Sequence, residues 1–116
     1  MPSGLLQHAG WSWLKRAPLV LALFSFAALA ESVVEVQIAD YKYKPAEVSV
    51  KVGDSVRWIN LEKRTSHSIL FPAEGGLESD RIFPDESWQR RFDKPGRYVY
   101  RCGPHPEMEG VVLVAE

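Results

Sequence analysis

Residues 47–60 read E-V-S-V-K-V-G-D-S-V-R-W-I-N. From Glu47 to Val52 the side chains alternate, with Val48, Val50 and Val52 on one face and Glu47, Ser49 and Lys51 on the other. That period of two belongs to a half-buried strand, not to a helix. Gly53-Asp54 supplies a turn, and Ser55 to Asn60 returns as a second strand with Val56 and Trp58 on its apolar side. The pair reads as a β-hairpin. Working outward, Ser32 to Ala39 alternates in the same way through Val34, Val36 and Ile38, and Tyr41 to Pro45 reads as an edge or loop because Pro45 cannot donate to a ladder. Short strands follow at Ser66–Phe71, Ser87–Phe92, Tyr98–Cys102 and Val111–Ala115, with a long irregular connection from Pro72 to Pro84. Seven or eight short strands bounded by turn residues predict an all-β fold, a single antiparallel Greek-key β-sandwich.

Two features bound where such a domain works. Lys15 and Arg16 precede an apolar run from Ala17 to Ala30 that ends in Ala-Leu-Ala, the pattern of a secretory signal peptide over residues 1–30. The run is shorter than the roughly 20 residues a bilayer span needs, so no membrane association is expected after cleavage, and export predicts a periplasmic location. The remaining chain, Glu31 to Glu116, is long enough for one small domain. It carries 12 basic and 15 acidic residues, because both basic leader residues are removed and the leader has no acidic ones; the balance of about −3 argues against nucleic acid as a partner. Cys102 is the single cysteine, so no intramolecular disulfide can staple the fold, and an exported thiol calls for an occupant such as a metal.

The segment Arg101 to Gly110, R-C-G-P-H-P-E-M-E-G, sets Cys102, His105 and Met108 at three-residue steps in a loop too rich in Gly and Pro to be helical. Beyond the leader the chain holds two histidines (His67, His105), one cysteine and one methionine, all candidate ligands. Two imidazoles, a thiolate and a weak axial thioether suit both oxidation states of copper, and the two sulfurs select a soft metal over calcium or magnesium.

These residues carry a resemblance to the type 1 (blue) copper proteins of the cupredoxin family, within it the plastocyanin/amicyanin group and most closely the amicyanin form. It rests on V-x-V-x-x-G-D-x-V-x-W-x-N from Val48 to Asn60, the upstream His67, P-G-x-Y-x-Y-x-C from Pro95 to Cys102, and the short C-x-x-H-x-x-M loop with Pro104 and Pro106. The resemblance implies one copper ion held by His67, Cys102 and His105 in the equatorial plane with Met108 axial, and His105 as the exposed ligand through which electrons pass. It also implies a monomeric, non-enzymatic shuttle between redox proteins, with a cytochrome, a dehydrogenase or an oxidase as possible donor or acceptor. Two departures stand out. Ser68 follows the first histidine where the family usually has Asn, whose side chain ties the two ligand loops together. Glu107 stands where amicyanins commonly have an apolar residue, which suggests a partner with some positive charge.

Several plainer readings compete. His67 alone reads as a satisfied histidine and Met108 alone as core; Trp58, Trp88, Tyr98 and Tyr100 read as core and sheet residues, and Glu62-Lys63-Arg64 as a solvated loop near His67 that could influence partner choice. A zinc site rarely uses methionine and usually wants more thiolates. A cysteine enzyme built on Cys102 would leave Met108 unexplained. A periplasmic copper carrier or assembly factor, handing over the ion instead of the electron, is the remaining alternative.

Overall fold

The computed structural model describes residues 31–116; the leader, and with it the expected signal peptide, lies outside the described residues. Nine strands follow in order: β1 (Val33–Ala39), β2 (Lys42–Lys44), β3 (Glu47–Lys51), β4 (Ser55–Asn60), β5 (Leu70–Phe71), β6 (Leu77–Glu78), β7 (Ser87–Arg91), β8 (Gly96–Arg101) and β9 (Glu109–Ala115). One 3-10 turn, Pro72–Glu74, is the only helical element among the described residues. The strands form two sheets, ordered β2-β1-β4-β7 and β3-β9-β8-β5-β6. The chain crosses between them after β2, β3, β4, β6 and β7, so the expected sandwich forms with connections that run back and forth across it.

Its ladders are not uniformly antiparallel. β1 runs parallel to β4, pairing Val36 with Trp58, and β3 runs parallel to β9, pairing Val48 with Val112. The hairpin expected over residues 47–60 is therefore a corner: β3 and β4 lie in opposite sheets and share no ladder. At that corner the Asp54 carboxylate accepts from the Lys51 amide at 2.9 Å and the Ser32 amide at 3.0 Å, while the Gly53 amide (φ 99°) reaches the Phe92 carbonyl at 2.8 Å. The alternation identified the buried faces of the two strands, because Val48, Val50, Val56 and Trp58 all point into the interior; Val52, expected on the same face, lies past the end of β3 and is exposed. Periodicity says which side is apolar but not which strand lies alongside, and two inward faces across a corner look the same as one face of a hairpin.

Trp58 anchors the interior. It is fully buried, edge-on to Tyr100 (ring centroids 5.3 Å apart) and 5.5 Å from Trp88, and Tyr100 in turn meets Tyr43 edge-on at 4.8 Å. The offset and edge-to-face geometry is the one aromatic quadrupoles favour. Arg90 interrupts the apolar side of β7, and it is accommodated by stacking 4.5 Å over both Phe71 and Phe92 while its fork binds the Glu74 carboxylate through two 2.7 Å bonds. The edges are β2 and β7 in one sheet and β3 and β6 in the other. The expected strand at residues 66–71 shrinks to Leu70–Phe71, and His67 precedes it in an isolated antiparallel bridge to Ile82. That bridge lies inside the connection the sequence left irregular.

Candidate metal centre

Two segments bring the candidate ligands together at one end of the sandwich. His67 is held on its bridge, its amide donating to the Ile82 carbonyl at 3.1 Å and its carbonyl accepting from the Ile82 amide at 2.8 Å. Cys102 follows the last residue of β8. The loop after it closes on itself, with the Cys102 amide donating to the Met108 carbonyl at 3.0 Å and the Met108 amide to the His105 carbonyl at 2.9 Å. Pro104 and Pro106 offer no amide protons, so they fix the path of this loop without adding donors near the sulfur.

The geometry follows. Cys102 Sγ lies 3.6 Å from His67 Nδ1 and 3.4 Å from His105 Nδ1. Donor atoms of the three residues all fall within 4.8 Å of one another. His67 and Cys102 are fully buried, Met108 is 2% exposed, and His105 is half-buried, so of the two imidazoles only His105 reaches the surface. The Ser68 amide donates to the same sulfur at 3.4 Å. Two imidazole nitrogens aimed at one buried sulfur make a poor hydrogen-bonding arrangement, since a thiol has a single weak proton to offer. They make a good donor set for one ion, because sulfur–nitrogen separations of this size are spanned by first-row metal–ligand bonds of roughly 2.0–2.3 Å. Met108, by its loop position and burial, is the fourth candidate.

Around the donors lies a shell that the sequence did not reveal. Glu62, read as part of a solvated run, turns inward: its side chain is 13% exposed and its Oε2 sits 3.3 Å from His67 Nε2. The same oxygen accepts the Tyr41 amide at 2.7 Å. Lys63 and Arg64 remain exposed. Burial, and after it the nearby His105, holds His67 below the usual imidazole range, with Glu62 opposing the shift. Tyr41 and Asp40 form the two-residue connection between β1 and β2, both left-handed (φ 57° and 55°). That is the backbone of a type I′ turn, uncommon for a tyrosine. Strain at Tyr41 is offset by contacts: its ring stands edge-on to His67 (5.4 Å) and to His105 (5.0 Å), and its hydroxyl pairs with Thr65 Oγ1 at 3.0 Å.

Asn60, at the end of β4, locks the loop that carries Glu62. Its buried Nδ2 donates to the Thr65 carbonyl at 2.8 Å and the Ile82 carbonyl at 2.9 Å, and its Oδ1 accepts the Glu62 amide at 2.8 Å. On the far side of the sulfur, Tyr43 donates its hydroxyl to the Ser68 carbonyl at 2.6 Å; burial, reinforced by neighbouring Cys102, raises its phenol well above the ordinary value, so it remains a donor. Ser68 Oγ accepts the Gly103 amide at 2.9 Å, which does tie the two ligand segments together as the usual asparagine would.

Comparison with known proteins agrees with this geometry. Residues 30–115 match the family described as copper binding proteins, plastocyanin/azurin family. The chain is similar to amicyanin of Paracoccus denitrificans, at 38% identity over 95 residues, 78% of this chain and 72% of that protein. It is similar also to amicyanin-alpha of Methylorubrum extorquens, at 38% identity over 84 residues, 69% and 70% of the two chains. A solved structure of a reduced copper(I) amicyanin variant at pH 4 superposes with a TM-score of 0.68 at 37% identity, covering 78% of this chain and 90% of that one.

Proposed function

Since the chain belongs to the plastocyanin/azurin family of copper-binding proteins, we propose that it is a periplasmic blue copper protein that holds its copper through His67, Cys102, His105 and Met108 and passes single electrons between redox proteins. The observation that carries this reading is the convergence of two imidazole Nδ1 atoms, 3.4 and 3.6 Å away, on one buried sulfur. Copper, when bound there, supplies a one-electron couple that needs no proton or substrate.

The chain's own residues do the rest. Cys102, His105 and Met108 sit on a loop closed by its own amides, and His67 is clamped by Ile82, so the donors are held in place through a change of charge. Glu62 and Tyr41 pack against the imidazoles and keep their edges fixed. The Ser68 amide, aimed at the sulfur, moderates its electron density. His105, the half-buried imidazole, offers the short route to the surface, with exposed Glu107 and Glu109 beside it for a partner bearing positive charge. All four candidate donors go to one centre, which leaves none to open a substrate position, so the protein converts no substrate of its own. Residues 1–30 act as the export signal, and the mature protein begins at or near Glu31.

The test is repeated cycling. Purified copper-loaded protein is oxidised and reduced many times by small-molecule mediators in the presence of a mild chelator. An electron carrier keeps its copper and its visible band throughout; loss of the metal to the chelator within a few cycles supports a carrier of copper ions instead. Sequencing the N-terminus of protein isolated from periplasm tests the export signal.

A further inference from the structure

Ser68 is bonded in four directions. Its amide donates to Cys102 Sγ and its carbonyl accepts from Tyr43. Its hydroxyl oxygen accepts the Gly103 amide at 2.9 Å and its hydroxyl proton goes to Glu78 Oε2 at 2.7 Å. A serine hydroxyl has one proton and two lone pairs. With its proton committed to Glu78, the oxygen presents its lone pairs toward Gly103, and the hydrogen bond on one side strengthens the one on the other. Where an asparagine could span the two segments with its own amide, the shorter serine does so with a carboxylate behind it.

The surrounding fold brings that carboxylate in. Glu78 lies opposite Leu70 in the β5–β6 ladder, so its side chain shares a face with Ser68, its diagonal neighbour. Next to this pair, Ile69 and Ser79 are bonded twice: the Ser79 amide donates to the Ile69 carbonyl at 2.9 Å and the Ile69 amide to the Ser79 side-chain oxygen, Oγ, at 3.0 Å. Residue 103 is a glycine for a local reason. A Cβ there would collide with the Glu78 carboxylate and lie 2.8 Å from Ser68 Oγ.

We propose that Glu78 is a positioning residue of the metal centre: acting through Ser68, it holds the Cys102 loop against the His67 segment, and its negative charge lowers the reduction potential of the bound copper. The second half rests on the copper reading above; the first concerns the polypeptide alone. A carboxylate near the centre favours the more positively charged oxidised state, which a neutral amide in the same place does not.

Two measurements separate these halves. In copper-loaded protein, Glu78→Gln keeps the hydrogen-bonding shape and removes the charge; the visible band is retained and the reduction potential shifts upward, whereas Glu78→Asp stays near wild type. In metal-free protein, Glu78→Ala accelerates hydrogen exchange of the Gly103 amide by about tenfold, the effect of losing roughly one hydrogen bond. Ser68→Ala does the same, and the double variant exchanges no faster than Ser68→Ala alone, because Glu78 acts through Ser68. An unchanged potential in Glu78→Gln overturns the electrostatic role, and a wild-type exchange rate at Gly103 in Glu78→Ala overturns the positioning role. If copper gives the wild-type protein no visible band, the copper reading itself fails, while the exchange experiment still decides whether Glu78 positions the loop.

Discussion

Glu62 Oε2 accepts the Tyr41 amide and stands 3.3 Å from His67 Nε2, so one carboxylate borders both a buried imidazole and a strained turn. Carboxylates that orient ligating histidines are worth roughly 10–100-fold in metal affinity, and Glu62→Ala is expected to weaken copper binding by that order in a competition titration. Met108→Leu is expected to leave copper bound, since three stronger donors remain, and to shift the reduction potential; loss of copper from this variant would make the thioether a primary ligand. The four candidate donors were legible in the sequence, because beyond the leader the chain holds only one cysteine, one methionine and two histidines, and three of these four share one short loop. Glu62, Tyr41 and Glu78 were not. Glu62 stands in a charged run, Tyr41 lies in a stretch that reads as an edge or loop, and Glu78 in one without periodicity; only the folded chain brings them near the candidate donors. The weak signal that could have been used for Glu62 is its place five residues ahead of His67 on one loop.

At the scale of elements, the start of β9 borders the site, while the corner between β3 and β4 closes the opposite end of the sandwich, where the Val52 amide meets the Ala115 carbonyl at the end of β9. Backbone amides of Lys51 and then Ser32 hold the Asp54 carboxyl below its ordinary value of 3.8. A carboxyl lowered on folding contributes stability that is present above the unfolded value and is lost as pH falls through the folded one. Asp54→Asn is therefore expected to flatten the decline of stability below about pH 4, measured by denaturant unfolding across the acid range. Gly110 begins the return from the ligand loop opposite Tyr100, whose ring lies where a Cβ would stand. Since Tyr100 is fully buried and cannot swing away, Gly110→Ala is expected to cost about 1–3 kcal/mol of unfolding free energy. The longer strands were legible from alternation, whereas β2 and β6 lay in stretches read as edge or irregular and β5 is shorter than expected; which strands pair was not legible. Residues 47–60 carried the apolar faces of β3 and β4 plainly, yet the parallel pairings with β9 and β1 join segments tens of residues apart, which no local pattern encodes.

For the molecule as a whole, the candidate metal centre joins the loop that crosses from β4 to β5 with the loop between β8 and β9. An ion bound there fastens these two loops at one end of the sandwich and binds only the folded chain. Copper at about a hundredfold excess over its dissociation constant is expected to add about 2.7 kcal/mol of stability, which in a domain of this size raises the melting temperature by roughly 10–20 °C. Chelation should reverse that gain. The most direct test of the account is the visible spectrum of the purified protein titrated with copper(II), read beside Cys102→Ser. An intense visible thiolate–copper(II) band that saturates at one copper per chain and is absent from the serine variant is the expected result. A colourless wild-type protein at saturation, or a band that survives the loss of the sulfur, would contradict it.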